Sequence, residues 1–505
     1  MASECGDNKQ VDITDVDSNV DMEASTNKIE GQHCRKMDFM EQLSCSLEGS
    51  GTNVSMPFVV ESKYPLTEDI LRKSAILLSR RHPLLRSKVI KETKAGSSKI
   101  ELFFGPMDEK DVVDIRTVDQ IDWADTQAAD GTILHNCETG PLWRIWFMKS
   151  IEISKEESEF GHQYRTNLVL GIHHGIMDGN SGVRLIDDLL TFLGMVHDNP
   201  DDLPSVESLP LIPGCYDLMP PRSITLPWYK IYKLIAMGLK GMTSSKQNMY
   251  AKYNKESLDS RSDCERQVHI HPLIFDRALT SKIVSQCRKN GVTVNSMFMV
   301  ASAIAAAKFI LGDNARPGKK YCMPALFAVN MRRFLPQHPG DNHISGFFSN
   351  TGCDFKVPVV VTPEEYWKIT KAYHRNLLSR ITNDSLLMAK IINFLVSVGV
   401  DPIKKMMGDL KKTPYGLMPS TYYMSNVGRC DFVTKENGRP FELSQVYMCV
   451  SMIDYSPLFV HNIFSIHGKI LWGIIHCNRI MGVESVKQYA DSIREIITMV
   501  CKDSE

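Results

Sequence analysis

The chain has almost no net charge. Its 505 residues carry 58 Lys and Arg against 59 Asp and Glu, a formal charge of -1. No global basic field exists to gather nucleic acid, and no nucleic-acid partner is expected. There are 13 cysteines, scattered from Cys5 to Cys501, but no CxxC pair and no Cys/His cluster along the sequence. Neither a zinc site nor a disulfide framework follows from such spacing, and no metal is expected. Reduced thiols in the cytosol are the default, so the location is read as cytoplasmic. No apolar run reaches the roughly 18 residues that a membrane helix needs. The N-terminus lacks the basic and apolar regions of a signal peptide. Without a secretory signal, the sequons at Asn53 and Asn383 carry little weight.

What is present is the profile of a globular protein, 43% hydrophobic and 23% charged. The length exceeds one ordinary core, so two domains or halves are expected. Residues 1–33 are polar and acidic and read as a disordered tail. Residues 34–200 form a first half, 201–266 a linker with a crossover helix, and 267–505 a second half.

The most informative stretch is 166–190. An apolar run, Leu168-Val169-Leu170-Gly171-Ile172, is short enough to be a buried strand. His173-His174-Gly175-Ile176-Met177-Asp178-Gly179 follows, and then Val183, Leu185, Ile186, Leu189 and Leu190 fall on one helical face. Two histidines thus sit on a turn between a strand and a helix, a rigid place to hold a general base. Imidazole titrates near neutrality and can take a proton from a hydroxyl or amine. Asp178 can bond the base or fix the turn. Gly179 leaves room for torsions or close approaches that a side chain would block. A bare HxxxD is more often a structural turn whose Asp caps a helix. The doubled His, the Gly and the strand–turn–helix setting together reverse that preference.

HHGIMDG matches HHxxxDG, the signature of the chloramphenicol acetyltransferase-like superfamily, and the chain resembles that superfamily from about residue 36 onward. Condensation domains of non-ribosomal peptide synthetases and stand-alone alcohol acyltransferases belong to it. Arg81-His82-Pro83-Leu84-Leu85-Arg86-Ser87-Lys88-Val89 resembles the family's RHxxLRxxF, with Val89 in place of Phe. Ile344-Ser345-Gly346-Phe347-Phe348-Ser349-Asn350-Thr351 resembles IGxFVNT, and Ser425-Asn426-Val427-Gly428 resembles the SNxG strand end. No DFGWG loop is present, which argues against the plant branch of alcohol acyltransferases.

The resemblance implies an α/β fold of two similar halves, mixed sheets covered by helices, forming a V with a central channel. It implies His174 as general base, His173 beside it, and Asp178 holding the loop by pairing with an Arg. Arg332 and Arg86 are both candidates for that partner. Ser425 or Asn426 is the candidate oxyanion donor. No acyl-enzyme is implied, no cofactor is bound, and acyl-CoA, acetyl-CoA first, is the expected co-substrate, with an alcohol or amine as acceptor. A stand-alone monomer is the expectation. Lys319-Lys320 and Arg332-Arg333 could meet CoA phosphates or be solvated surface. The basic amphipathic segment 226–242, with Trp228 and Tyr229 beside Lys230, reads as a crossover helix first and as a membrane-surface contact second.

Overall fold

The computed structural model describes residues 35–46, 53–93, 100–219, 248–261, 264–340, 342–384, 386, 390–391, 414–433, 438–451 and 456–502. The acidic N-terminal segment, the basic segment 226–242 and most of the helix expected over 385–410 lie outside these residues.

The first part of the chain runs β1 (Arg35–Lys36), α1 (Phe39–Ser46), β2 (Asn53–Ser62), α2 (Glu68–Arg81), β3 (Ser87–Thr93) and β4 (Ile100–Pro106). It continues as β5 (Ile115–Val118), α3 (Trp123–Asp130), β6 (Trp143–Met148), β7 (Ile151–Glu152), β8 (Tyr164–His173) and α4 (Gly179–Asp198). The second part opens with α5 (Met249–Tyr253), α6 (Lys255–Asp259), β9 (Val268–Phe275), α7 (Arg277–Lys289), α8 (Val294–Leu311), β10 (Tyr321–Asn330), β11 (Phe348–Val357) and α9 (Pro363–Asp384). It closes with β12 (Tyr422–Arg429), β13 (Phe441–Val446), β14 (Cys449–Val450), β15 (Phe459–Ile466), β16 (Lys469–Cys477) and α10 (Val483–Val500).

Local chemistry accounts for most of these boundaries. Thr67 Oγ1 accepts from Ile70 N–H at 3.4 Å and starts α2, and Pro83 follows its end. Thr293 Oγ1 accepts from Ser296 N–H at 3.2 Å and starts α8. His467-Gly468, both at positive φ, turns β15 back onto β16. Helix α8 is apolar on nearly every face. It is long and apolar enough to cross a membrane by composition alone, yet 78% of its window is buried among other elements. A helix that is apolar all round belongs in a core, and that is where this one packs.

The strands make a seven-stranded sheet built on β13-β2-β8-β6-β5 with β14 and β7 added at its sides, and a six-stranded sheet ordered β11-β10-β12-β15-β16-β9. A small sheet, β1-β4-β3, stands apart from both. Both large sheets mix parallel and antiparallel pairs: β5 and β6 are parallel, as are β10, β12 and β15. Residues 441–446 pair antiparallel with β2, so a late segment of the chain completes the sheet that holds HHxxxDG. Helix α4 covers this sheet, with Val183, Leu185, Ile186, Leu189 and Leu190 buried. The result is the expected mixed α/β fold of sheets covered by helices.

Candidate functional site

Strand β8 ends at His173, with Leu168, Val169, Leu170 and Ile172 all buried. Burial on both faces leaves the strand little freedom, and its register is fixed against β2, where Asn53 faces His173. A 3₁₀ turn, His174–Ile176, follows, and Asp178 is the N-cap of α4. Asp178 Oδ1 accepts from Ser181 N–H and from Ser181 Oγ, both at 2.8 Å. The capping role that any Asp at this position could play is therefore real, and it does not exhaust what this carboxylate does.

Arg332 lies just past β10, 154 residues away. Its Nη1 donates to Asp178 Oδ2 at 2.7 Å, and its Nη2 donates to Oδ1 at 3.3 Å and to Ser181 Oγ at 3.0 Å. The backbone N–H of Phe347 donates to Asp178 Oδ2 at 3.1 Å, and the Phe347 ring packs against the guanidinium at 4.6 Å. Ser181 Oγ also lies 3.0 Å from the Ser345 carbonyl, a second acceptor within reach of its single proton. Asp178 and Arg332 are 6% and 3% exposed, so this is a buried, bidentate ion pair with its remaining acceptor sites filled. Burial pushes the Asp178 pKa up, but Arg332 and the Ser181 donors outweigh it and hold the carboxyl below its usual range.

Of the two Arg candidates, the structure brings Arg332 to Asp178. Arg86 donates instead to the carbonyls of Ser79 and Arg80 and to Ser208 Oγ. Because Arg332 is spent inside the fold, it is not a surface cation for CoA phosphates, and that half of the Arg332-Arg333 expectation is withdrawn. His82 is also structural: it is buried and its Nε2 lies 2.9 Å from Asp188 Oδ2, tying the end of α2 to α4.

His174 is half-buried. Its Nδ1 lies 3.0 Å from the Met177 carbonyl oxygen, a partner that can only accept. The Nδ1–H tautomer is assigned from that bond, which puts the lone pair on Nε2. The ring stacks on Phe348, centroids 5.0 Å apart and planes inclined by 14°. Burial is the main cause holding the His174 pKa below its ordinary value, and the neighbouring His173 pushes the same way. His173 points elsewhere. It is buried, and its Nδ1 accepts from Gly175 N–H at 3.1 Å.

The segment resembling IGxFVNT becomes a strand only at Phe348, because Ser345 and Phe347 use their backbone groups on Ser181 and Asp178 before the ladder begins. Ser425 and Asn426 lie in the closing half of β12, which ends at Arg429, one residue past the SNxG segment. Strand β12 continues to Arg429 through a register shift between Asn426 and Gly428, which Gly428 accommodates at φ +87°. Asn426 Nδ2 donates to Asn295 Oδ1 at 3.3 Å. Val427 lies so close to Gly179 that a Cβ there would stand 2.6 Å from Val427 Cγ2. The bulge of β12 is thus packed against the start of α4, and Gly179 is what permits the contact.

Ser345 and Phe347, from the IGxFVNT-like segment, join the site through contacts that the segment alone does not predict, and Ser181 and Glu41 join it without a local pattern that gives them a role. Glu41 Oε1 accepts from Ser345 Oγ at 3.2 Å and from Arg35 Nη2 at 2.6 Å. Its neighbour Asp38 is pushed up to about 7 by burial and by the Glu41 carboxylate. A second group is formed by Cys45, Cys137 and His173, whose ligating atoms all lie within 4.8 Å of one another. Spacing alone could not show it, since the three residues come from α1, a loop and β8. Cys45 is the largest cause holding the Cys137 thiol well below its ordinary range.

With this geometry in place, likeness to known proteins becomes informative. A family model for alcohol acetyltransferases matches residues 128–469, more than half of the chain. The chain belongs to the alcohol acetyltransferase family. Over 93–94% of its length it takes the same fold as two solved structures of low identity. One is polyketide synthase associated protein 5 from Mycobacterium tuberculosis, with TM-score 0.59, 14% identity and 99% of that chain covered. The other is a trichothecene 15-O-acetyltransferase from Fusarium sporotrichioides, with TM-score 0.58, 12% identity and 95% covered. A curated relative, nonribosomal peptide synthetase kk1B from Curvularia clavata, is 27% identical over 173 residues, 34% of this chain. The match spans only 1% of that synthetase.

Proposed function

We propose that the protein transfers an acyl group, acetyl first, from acyl-CoA to the hydroxyl of a small or lipophilic alcohol. The observation that carries the chemistry is the 3.0 Å approach of His174 Nδ1 to the Met177 carbonyl oxygen. With Nδ1–H committed to the Met177 carbonyl, Nε2 is a neutral base at the end of a rigid strand. The alcohol oxygen attacks the thioester carbonyl as Nε2 takes its proton. The tetrahedral oxyanion then collapses, the C–S bond breaks, and the imidazolium returns the proton to the departing CoA thiolate. Asp178 keeps the turn in place and does not touch the reacting atoms. Asn426 Nδ2 places one of its two protons on Asn295, and both Ser425 Oγ and the other Asn426 N–H are candidate oxyanion donors. Donor and acceptor are taken to enter a channel between the two halves from opposite mouths and to meet at His174.

The test is mass spectrometry of products from acyl-CoA donors of graded chain length with a panel of alcohols and amines. Ester together with stoichiometric free CoA supports the proposal. Amide products, or transfer only from a pantetheine-linked carrier protein, would favour the alternative of N-acylation or condensation with a carrier-bound thioester.

A pH dependence follows from the direction of the His174 shift. A lowered folded-state pKa keeps the imidazole neutral to lower pH, so kcat/KM should be high above that value and fall as pH drops through it. The apparent midpoint should lie below the ordinary imidazole value of about 6.5. Initial rates across pH, taken with a chelator present, give the midpoint. One above the ordinary value would contradict a base desolvated in this way. The same chelator should leave the rate at neutral pH unchanged, since base and oxyanion donor suffice for the transfer.

A further inference from the structure

We propose that Cys45 and Cys137 form a redox-active dithiol, a modification site at which a hydroperoxide oxidises Cys137 and Cys45 closes a disulfide. Cys45 stands in the last turn of α1, and Cys137 in the loop between α3 and β6. Their sulfurs and a ring nitrogen of His173 all lie within 4.8 Å of one another. A disulfide needs the sulfurs at about 2.05 Å, a gap that side-chain torsions and a small loop shift can close.

Hydrogen bonding marks Cys137 as the attacking sulfur. His173 Nδ1 accepts from Gly175 N–H at 3.1 Å, so the neutral ring is assigned its proton on Nε2. The ring is hydrogen-bonded to the Cys137 thiol, and the Cys45 side chain bonds the same sulfur. A ring N–H and a thiol S–H thus converge on one sulfur, which favours thiolate over thiol. Cys45 first and His173 after it hold the Cys137 thiol below its ordinary range, against the burial that pushes it up. The contrast with other thiols is plain: burial pushes Cys215, Cys287, Cys353, Cys430, Cys449 and Cys477 up, toward the inert form.

The pair also has a route to solvent. Cys137 lines a surface depression of about 360 Å³ together with Lys91, His135 and Glu138. Cys45 is half-buried. Cys137 itself is 5% exposed, so a small peroxide suits the site better than a bulky oxidant. The Cys137 thiolate attacks one peroxide oxygen, the O–O bond breaks, and hydroxide leaves as Cys137 becomes a sulfenic acid. The Cys45 sulfur then attacks the Cys137 sulfur, the S–O bond breaks, and the departing hydroxide takes the Cys45 proton as water. The two thiols give up two electrons and the peroxide takes them, ending as two waters. The disulfide would fasten the end of α1 to the loop before β6 and take the thiolate from His173, one residue before the base.

The full chain is reduced, separated from reductant, treated with hydrogen peroxide at neutral pH, and mapped by peptide mass spectrometry. The wild type should yield a Cys45–Cys137 cross-linked peptide, lighter by two hydrogens, which dithiothreitol reverses. In Cys45→Ser, a half-buried position where the fold should survive, the reaction should stop one step earlier, with dimedone trapping one added oxygen on Cys137. Cys137→Ser should slow peroxide-dependent loss of the Cys45 thiol by about tenfold or more, since an ordinary thiol near 8.5 is only about 3% thiolate at neutral pH. Iodoacetamide labelling of wild-type Cys137 should be nearly flat from about pH 6 to 8, where an ordinary thiol gains about tenfold per unit. The proposal is overturned if peroxide gives no Cys45–Cys137 cross-link in the folded wild type, or if dimedone spares Cys137 in Cys45→Ser. A Cys137 labelling rate that climbs with pH like an ordinary thiol would equally overturn it.

Discussion

Replacing His174 by alanine is expected to lower turnover by about 10²–10⁴-fold, the usual worth of a positioned general base. Folding should be little affected. The ring is half-buried and its partners are one backbone carbonyl and one stacked Phe348. His173→Ala should be milder toward the reaction, because His173 faces the thiols and the Gly175 N–H. The contrast between adjacent histidines is the useful readout. Steady-state kinetics with saturating donor and acceptor, alongside a melting curve, separate the two. A His174→Ala enzyme that transfers at the wild-type rate would remove the base from the mechanism.

Breaking the Asp178–Arg332 pair should give the second large effect, this time on stability and activity together. Arg332→Ala leaves a buried carboxylate facing Phe347 N–H and Ser181 without its counter-ion, and loss of one partner of such a pair typically costs about 3–5 kcal/mol. Asp178→Asn should be destabilising as well: an amide oxygen can still accept from Ser181 N–H, but buried Arg332 loses its anion. Both variants should also slow turnover, since the N-cap of α4 and the His174 turn are one continuous segment. Denaturant or thermal unfolding measures the first effect and kcat the second. An Arg332→Ala protein with unchanged unfolding and unchanged rate would show that the pair holds nothing in place.

The site is partly legible in the sequence, and the limits have physical causes. The His–Asp turn could be found because it is local: an apolar strand, a turn and an amphipathic helix announce themselves within one short stretch. The partner of Asp178 could not be chosen, because Arg86 and Arg332 are equally plausible by composition. Only the course of β10 past α4 brings Arg332 within 2.7 Å. The SNxG segment does close a strand, since β12 ends at Arg429, but the bulge inside it was not legible. Gly428 looks like a terminator in sequence, yet at positive φ it absorbs a bulge and lets β12 continue. The pairing of residues 441–446 with β2 is a long-range choice between sheet edges, on which alternation of side chains is silent. The Cys45, Cys137 and His173 group joins three distant segments and had no spacing to betray it. By contrast, the apolar helix after Thr293 and the hairpin at His467-Gly468 are dictated by neighbouring residues, and both stand where their sequence puts them.

In direct transfer no acyl group is ever covalently held by the protein. Intact-mass spectrometry tests it most directly. The enzyme is mixed with excess acetyl-CoA in the absence of acceptor, sampled on the timescale of turnover, and then supplied with the alcohol. Direct transfer predicts an unmodified protein mass throughout and ester only after the alcohol is added, with initial-rate plots that intersect as a ternary complex requires. An acylated protein that forms with acetyl-CoA alone and discharges on addition of alcohol, with parallel double-reciprocal lines, would contradict it. A serine or cysteine of the protein, and not the alcohol oxygen, would then make the first attack on the thioester.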